Sequence, residues 1–494
     1  ADEAEEKVGI SFEDLQNLPK GEVAFAVVAR PDQGPALLLL VDQGDEPSVA
    51  ERLVDRALEL AGEQGADFST EEIGDVEVTV VRDPESESRT VGVFQRENTI
   101  VVATDPNVLR QVLWHWDGGE TGEDASGSAA TQGEIEKVSR DAERSAPDDE
   151  APNEDEPKDE EPFVPGRTLA ENDRFVTILR SCRREQDPPP HVVFFVDPIE
   201  LVRSVGRDQG GVQFVMGLLP ALGLDGLLAA GGTMTFSTDQ YSDMSQYHLL
   251  LENPRAGVLQ LPAFDSGDNT PQAFVPHAVE TYMGMHANLR TTYDRLIALV
   301  DKFRYQGSMD KFVKERVSDK IGIDFPTQVL DNLAGRFTWM VAYEKPAKFR
   351  GQQHTIAAEL KDEEAMRETV KAVMEKFPDV FEERTFGSVT YHAILPPRLR
   401  EMEEDERPAE PFVAIMDGYL FLGGSCKLFE ECIAARDGTV DRLVDSEDYA
   451  RATEVLGRET AGLTPTLFSV SRYEETVRQW YDLLKSEKTR ELID

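Results

Sequence analysis

The sequence predicts an α+β protein built from duplicated modules, each a mostly antiparallel sheet with helices packed on one face. Three observations predict it. Strand-like runs alternate apolar and polar residues, as half-buried antiparallel strands do. Between them, apolar residues recur at helical spacing. The same series of elements then occurs a second time along the chain. Sheets patterned in this way bury their apolar face under helices, which gives a layered architecture.

The first copy opens on Gly9-Ile10-Ser11-Phe12, which recurs as Gly322-Ile323-Asp324-Phe325. Asn17-Leu18 and the strand Val23-Ala24-Phe25-Ala26-Val27 recur as Asn332-Leu333 and Phe337-Thr338-Trp339-Met340-Val341. A second strand over 36–41 matches 355–360. An amphipathic helix follows in each copy. Val49, Leu53, Ala57 and Leu60 share one face in the first, and Met366, Val370, Val373, Met374 and Phe377 share one in the second.

Next comes the alternating strand Val76-Glu77-Val78-Thr79-Val80, entered through Gly74-Asp75, with its counterpart in Gly387-Ser388-Val389-Thr390-Tyr391. A hairpin over 91–104 answers one over 412–424, where Asp417-Gly418 is a strong two-residue turn signal. A short helix then begins. Asp105-Pro106 offers it an N-cap and a proline at the first helical position. The helix ends at Trp116-Asp117-Gly118 in one copy and Arg436-Asp437-Gly438 in the other. The correspondence resumes at 169–182 with 443–456, and at 191–205 with 466–480.

These matches set the organisation. Residues 1–116 form the first βα module, and 117–166 an acidic disordered linker. A helix–strand module with a hairpin spans 167–262, and a lead-in strand with helices spans 263–321. The second copy of the first module covers 322–440, and 441–494 repeats the start of the 167–262 module. The linker reading rests on 17 acidic and 4 basic residues within 117–162. Such a segment buries too little apolar surface to offset its ordering entropy. The copies are unequal at their ends: no segment before Gly9 answers 274–321 and none after Asp494 answers 206–262. The expectation is a longer native precursor.

Composition narrows the partners. The chain of 494 residues has 51 basic against 95 acidic residues, a net charge of −44. That field argues against nucleic acid and anionic membranes as partners, since their phosphates are bound through an excess of Lys and Arg. With 40 % hydrophobic residues, most of the chain should nevertheless fold. No transmembrane segment is expected, because the most apolar stretch, 212–230, is interrupted by Gln213, Pro220 and Asp225.

Four groups of residues resemble a known family. Phe12-Glu13-Asp14-Leu15 with Pro19-Lys20-Gly21-Glu22-Val23-Ala24, Ala103-Thr104-Asp105-Pro106, Val196-Asp197-Pro198, and Leu222-Gly223-Leu224-Asp225-Gly226-Leu227 are similar to phrases of large, exported, uncharacterised proteins of planctomycete-type bacteria. That family is classed as a domain of unknown function. The resemblance covers nearly the whole chain outside the linker. It implies an extracytoplasmic location, in the periplasm, cell envelope or secreted space. It brings no catalytic residues.

Little in the sequence gathers chemistry. Cys426 and Cys432 lie six apart on a predicted helix, so their Cα atoms are about 9 Å apart, beyond disulfide reach. By alignment Cys426, Cys432 and Cys182 correspond to Pro106, Val112 and Leu456, which are packing positions. Buried structural thiols are therefore favoured over reactive ones, with a bridge from Cys182 to either of the others left open. The seven His (115, 191, 248, 277, 286, 354 and 392) form no zinc pattern. His277 and His286 flank a predicted strand, where surface and packing roles outweigh ligation.

No Gly-x-Ser-x-Gly elbow is present. The run from Gly226 to Thr233 mimics a phosphate loop, but Gly232 stands where the phosphate-binding Lys is required, which makes it a tight turn. No cofactor, metal or catalytic residue is assigned. One apolar stretch has two readings. Phe214, Met216, Leu219, Leu222 and Leu227 fit a core contact, and they also fit the lining of a hydrophobic ligand pocket.

The expected function is non-enzymatic: a structural or protein-interaction module whose partner is a protein or envelope component. The alternative is an extracytoplasmic carrier of lipid or another apolar ligand, and an uncharacterised enzyme comes third. A carrier needs an enclosed apolar cavity, an interaction module an exposed apolar face, and an enzyme a cleft with several perturbed titratable groups.

Overall fold

A computed structural model describes residues 21–30, 34–44, 49–83, 86–118, 166–182, 189–206, 210–236, 242–344, 351–402, 410–460 and 463–485. The repeat phrase at 9–12, Asn17-Leu18 and most of the acidic linker lie outside these residues, as do the side chains of Val49 and Leu53. The chain divides into two compact units, 1–255 and 256–494.

Unit 1 contains β1 (Val23–Val28), β2 (Ala36–Asp42), α1 (Val49–Glu63), β3 (Asp67–Ile73), β4 (Val76–Asp83), β5 (Ser86–Arg96), β6 (Thr99–Ala103) and α2 (Pro106–Trp116). Its strands form one antiparallel sheet in the order β1-β2-β6-β5-β4-β3. Val78, Val80, Phe94, Val101 and Ala103 line one face, and Val108, Leu109 and Leu113 of α2 close over them. Helix α2 starts where it does because the Asp105 carboxylate accepts from the Asn107 N–H at 2.8 Å and Pro106 has no N–H to leave unpaired. After the linker come α3 (Asp173–Cys182), β7 (Val192–Val196), α4 (Pro198–Val205), α5 (Gly210–Leu222), β8 (Leu227–Phe236) and β9 (Asp243–Leu251). Here β7-β8-β9 make a second antiparallel sheet, and α3 packs on it through Ile178 and Cys182 against Ala229, Phe195 and Leu250. The stretch that mimics a phosphate loop is not the expected tight turn but the start of β8. It pairs on both sides and precedes no helix.

Unit 2 runs β10 (Thr281–His286), α6 (Leu289–Phe303), α7 (Ser308–Val313), β11 (Leu333–Tyr343), β12 (Gln352–Leu360), α8 (Glu363–Lys376), β13 (Phe381–Phe386), β14 (Val389–Ile394), β15 (Phe412–Met416), β16 (Tyr419–Gly423), α9 (Cys426–Arg436), α10 (Glu447–Glu459), β17 (Leu467–Ser471) and α11 (Tyr473–Lys485). Its eight strands lie in the order β13-β14-β15-β16-β12-β11-β10-β17, all pairs antiparallel. Read from β11 outward, β11-β12-β16-β15-β14-β13 is the order of the first sheet of unit 1, strand for strand. Strands β10 and β17 extend this sheet past β11, so the lead-in segment and the C-terminal segment join the second module.

The class is α+β. The main helical layer lies on one face of the eight-stranded sheet, where Leu428, Phe429, Cys432 and Ile433 of α9 meet Tyr391, Phe412 and Phe421. On the other face α8 adds a smaller cover, placing Met366 and Val370 against Val413, Ile415 and Leu420. Adjacent residues of β15 point to opposite faces, so Phe412 and Val413 serve different helices.

Each copy holds one strand more than its apolar pattern predicts. Strands β3 and β13 form hairpins with β4 and β14 through Gly74 and Gly387, whose φ angles of 66° and 56° suit glycine. Both lie at sheet edges and are rich in acidic or polar residues, as edge strands are when they must resist pairing with other chains.

Candidate functional site

The five apolar residues proposed as a ligand lining fall on two elements, α5 and β8. Phe214 is 70 % exposed on α5. Met216, Leu219 and Leu222 are half-buried on the same helix, which ends at Gly223 with φ 69°. Leu227 sits on β8 instead, paired with Leu251.

The apolar surface that stands out in unit 2 is on α11. A helix at a protein surface normally buries its apolar stripe and exposes its polar one. Helix α11 leaves much of its apolar surface outside. It buries Gln479 and Leu483, and Thr476 donates a hydrogen bond to the buried Glu280. Outward it presents Tyr473, Val477, Trp480, Tyr481 and Leu484, with Trp480 58 % exposed. These positions follow the i, i+4, i+7, i+8, i+11 spacing of one continuous stripe.

The equivalent helix of the first copy repeats the arrangement. On α4, Ser204 is buried at the position of Gln479, while Val202 and Val205 are exposed at those of Val477 and Trp480. Asp197 caps α4 by accepting from the Glu200 N–H at 3.0 Å and also receives Arg174 at 2.5 Å. Helix α5 packs beside α4 and adds Phe214, Val215 and Leu218 to the exposed apolar residues. Helical spacing in the sequence marks such stripes. It does not say which stripe turns inward, and for α4 and α11 that choice runs against the usual rule.

All three cysteines are free and buried, so none bridges to another. Burial raises each thiol above its usual range: Cys182, then Cys426 to about 11, and Cys432, which is wholly enclosed, further still. A neutral, enclosed thiol is a poor nucleophile. Ellman's reagent at pH 8 should therefore label none of the three within minutes in the folded protein and all three in denaturant. Fast labelling of any one in the folded state would contradict the packing role.

The two histidines flanking β10 are held separately. His286 Nε2 lies 2.9 Å from the Asp268 carbonyl, whereas the His277 ring lies 3.3 Å from Arg472, which also donates to the carbonyls of His277 and Val279, and 3.9 Å from Asp448. Among the described residues, no group of three His, Cys, Asp or Glu side chains is placed to hold a metal ion, and no helix is long and apolar enough to cross a membrane.

Unit 2 also carries two sizeable surface cavities among its described residues. One, of about 550 Å³, lies beside the start of α10 and is lined by His277 and by charged groups, among them Arg442, Asp445 and Asp448. The other, of about 880 Å³, is an open cleft between α6 and the segment that follows it, reaching into the start of the second copy at Gly322 to Gln328. The turn into α7 is fixed by Asp301, whose carboxylate accepts from the Gly307 N–H at 2.6 Å and from the Ser308 hydroxyl at 3.0 Å. These bonds hold the carboxyl below its ordinary range. Two wider, π-helical turns, Lys314–Ser318 and Phe325–Val329, then bend the chain around the cleft on either side of Gly322, which has φ 86°.

Comparison with known protein families, with curated proteins and with solved structures finds no match to this chain.

Proposed function

We propose that this chain is a non-enzymatic structural and protein-interaction module of the cell envelope or extracellular space, which associates with itself through the outward stripes of α4 and α11. The supporting observation is the inverted burial at equivalent positions of these two helices. A surface that is repeated within one chain can meet its own like, as isologous contacts require. Exposed Tyr and Trp are the residue types enriched at the energetic centres of such contacts. The extracytoplasmic location rests on the resemblance of the capping phrases around Asp105 and Asp197 to those of exported proteins. Both cavities are open and bear charged groups, which fits binding at a surface better than enclosure of a lipid.

Light scattering coupled to size exclusion, with native mass spectrometry on the same sample, tests the reading. The expected result is an oligomer whose population grows with added salt, because an apolar contact must form against the repulsion of a net charge of −44 and salt screens that repulsion. The double variant Val477→Asp/Trp480→Asp should be a monomer with an unchanged circular dichroism spectrum, since both side chains are exposed. A monomer at every salt concentration would overturn the reading. A bound mass that disappears on denaturation would replace it with the carrier function.

A further inference from the structure

We propose that the open edge of β1 receives an extended, uncharged segment of a partner protein, which joins the six-stranded sheet as an antiparallel strand with a large apolar side chain on the α2 side. The edge is separate from the stripes of α4 and α11, and the proposal does not depend on self-association through them.

The backbone of β1 offers the bonds. Asp42 donates its N–H to the Glu22 carbonyl at 2.8 Å. Hydrogen-bonded pairs alternate along an antiparallel ladder, so Ala24, Ala26 and Val28 bond to their partners Leu40, Leu38 and Ala36 on β2. Val23, Phe25 and Val27 therefore aim their N–H and C=O groups away from β2. Strand β1 is the last of its sheet, and no hydrogen bond to these outward groups is present among the described residues.

The second copy shows what such an edge takes. Strand β11 is the counterpart of β1, with Phe337, Trp339 and Val341 at the places of Val23, Phe25 and Val27. There Ala287 donates to the Gly335 carbonyl at 2.8 Å, and the same alternation turns Phe337, Trp339 and Val341 toward β10. Strand β10 occupies that edge in an unbroken antiparallel register, Thr281↔Val341 to His286↔Arg336.

The neighbour also completes the core. Thr338 and Met340 of β11 are 0 % exposed, and the fully buried Tyr282 of β10 lies opposite Met340. Their counterparts Ala24 and Ala26 are only half-buried, on the face where Leu38 and Leu40 meet α2. An incoming strand fills this shortfall by placing a large apolar residue opposite Ala26. A second copy does not, because an antiparallel β1 pair centred on Phe25 sets Ala26 against Ala24.

The edge also lacks the usual protection. The outer strands β3 and β13 carry Asp67, Glu71 and Glu72, and Glu382 and Glu383, whereas Val23–Val28 has no charge, proline or bulge. Its uncovered face presents Val23, Phe25 and Val27, with Phe25 64 % exposed, as a row for the partner's alternate side chains. A carboxylate in the incoming segment would be desolvated there and repelled by the net charge of −44. Main-chain bonds then supply affinity, and the alternating side chains supply selectivity.

The test titrates the full chain with a capped, fluorescent peptide of the sequence Thr281–Asn288, read by anisotropy, with hydrogen exchange on the saturated sample. Saturable binding and slowed exchange across 23–28 are expected. The same peptide with Tyr282→Glu should bind at least tenfold more weakly. In the protein, Val27→Pro, which removes one outward N–H and no bond to β2, should weaken binding at least tenfold, and the exposed Phe25→Lys at least fivefold. Leu467→Lys, an equal charge change at the exposed edge strand β17, should leave the affinity within twofold. Absence of saturable binding would overturn the proposal, as would equal weakening by Leu467→Lys or equal binding of the Glu peptide. A dimer of the Val477→Asp/Trp480→Asp chain that Phe25→Lys dissolves would also overturn it, by assigning the edge to a second copy. That double variant should bind the peptide with unchanged affinity, so this proposal and self-association through α11 fail separately.

Discussion

Replacing Phe429 by Ala should cost unit 2 about 4 kcal/mol, in the range typical of deleting a large aromatic side chain from a core that cannot collapse around the loss. Phe429 is fully buried. Its ring stacks on Phe412 at 4.6 Å and meets Phe421 at 5.1 Å and Tyr391 at 5.4 Å, so three strands lose their common contact at once. The Tyr391 hydroxyl, which donates to Glu430 at 2.6 Å, ties the same cluster to the exposed side of α9. Urea unfolding should show the shift in midpoint without a comparable change in slope, and the melting temperature of unit 2 should fall by about 10 °C. A loss under about 1 kcal/mol would mean that α9 is not the principal cover of this sheet.

Gly232→Ala is expected to destabilise the β7-β8-β9 sheet by about 3 kcal/mol, the upper end of what added volume costs in a packed site. A Cβ at this position would press on the backbone carbonyl of Gln246 across the pair and would lie 3.0 Å from the Phe194 ring. Neither neighbour yields easily: one is main chain in the partner strand, and the other sits against Tyr247 at 5.6 Å. Hydrogen exchange should accelerate across β8 and β9 while β1 to β6 keep their protection. Equal acceleration throughout unit 1 would show that its two sheets unfold together, and no acceleration would show that the strand relaxes around the methyl. The same substitution distinguishes a structural glycine from a phosphate loop, since its effect needs no nucleotide.

The parts of this fold that were readable from sequence are those where local chemistry and burial agree. Alternation in Val76 to Val80 reflects a strand that buries one face, the continuous apolar run of Phe412 to Met416 reflects one buried on both, and Asp417-Gly418 turns as that pair should, with φ of 52° and 78°. Asp105, Asp197 and Ser425 all cap helices, as their residue types at the head of helical patterns indicate. Strands β3 and β13 escaped because an edge strand is selected for charge rather than for apolar alternation, and Asp67-Phe68-Ser69-Thr70-Glu71-Glu72-Ile73 shows it. The apolar run at 214–228 is split between an exposed helix and a strand, a division that composition cannot show. The cleft was illegible for a different reason. Its residues are ordinary ones from α6 to the second π-helical turn, and only the bends bring them together.

Strands β10 and β17 lie side by side, pairing Thr281 with Ser471 and linking their hydroxyls at 2.9 Å across 190 residues of sequence. The first strand of unit 2 to leave the ribosome therefore gains one of its two neighbours last. At the common pace of synthesis, about 5–20 residues per second, β10 waits on the order of ten seconds or more for β17 to be made. During that interval its Tyr282 and Met283 have no second partner strand. Contacts so distant in sequence also slow folding itself, because loop closure is paid before pairing rewards it. Unit 2 is thus a body that completes its sheet only after translation has passed residue 471, and a nascent chain stalled before that point should expose the β10 edge to chaperones or to a like strand.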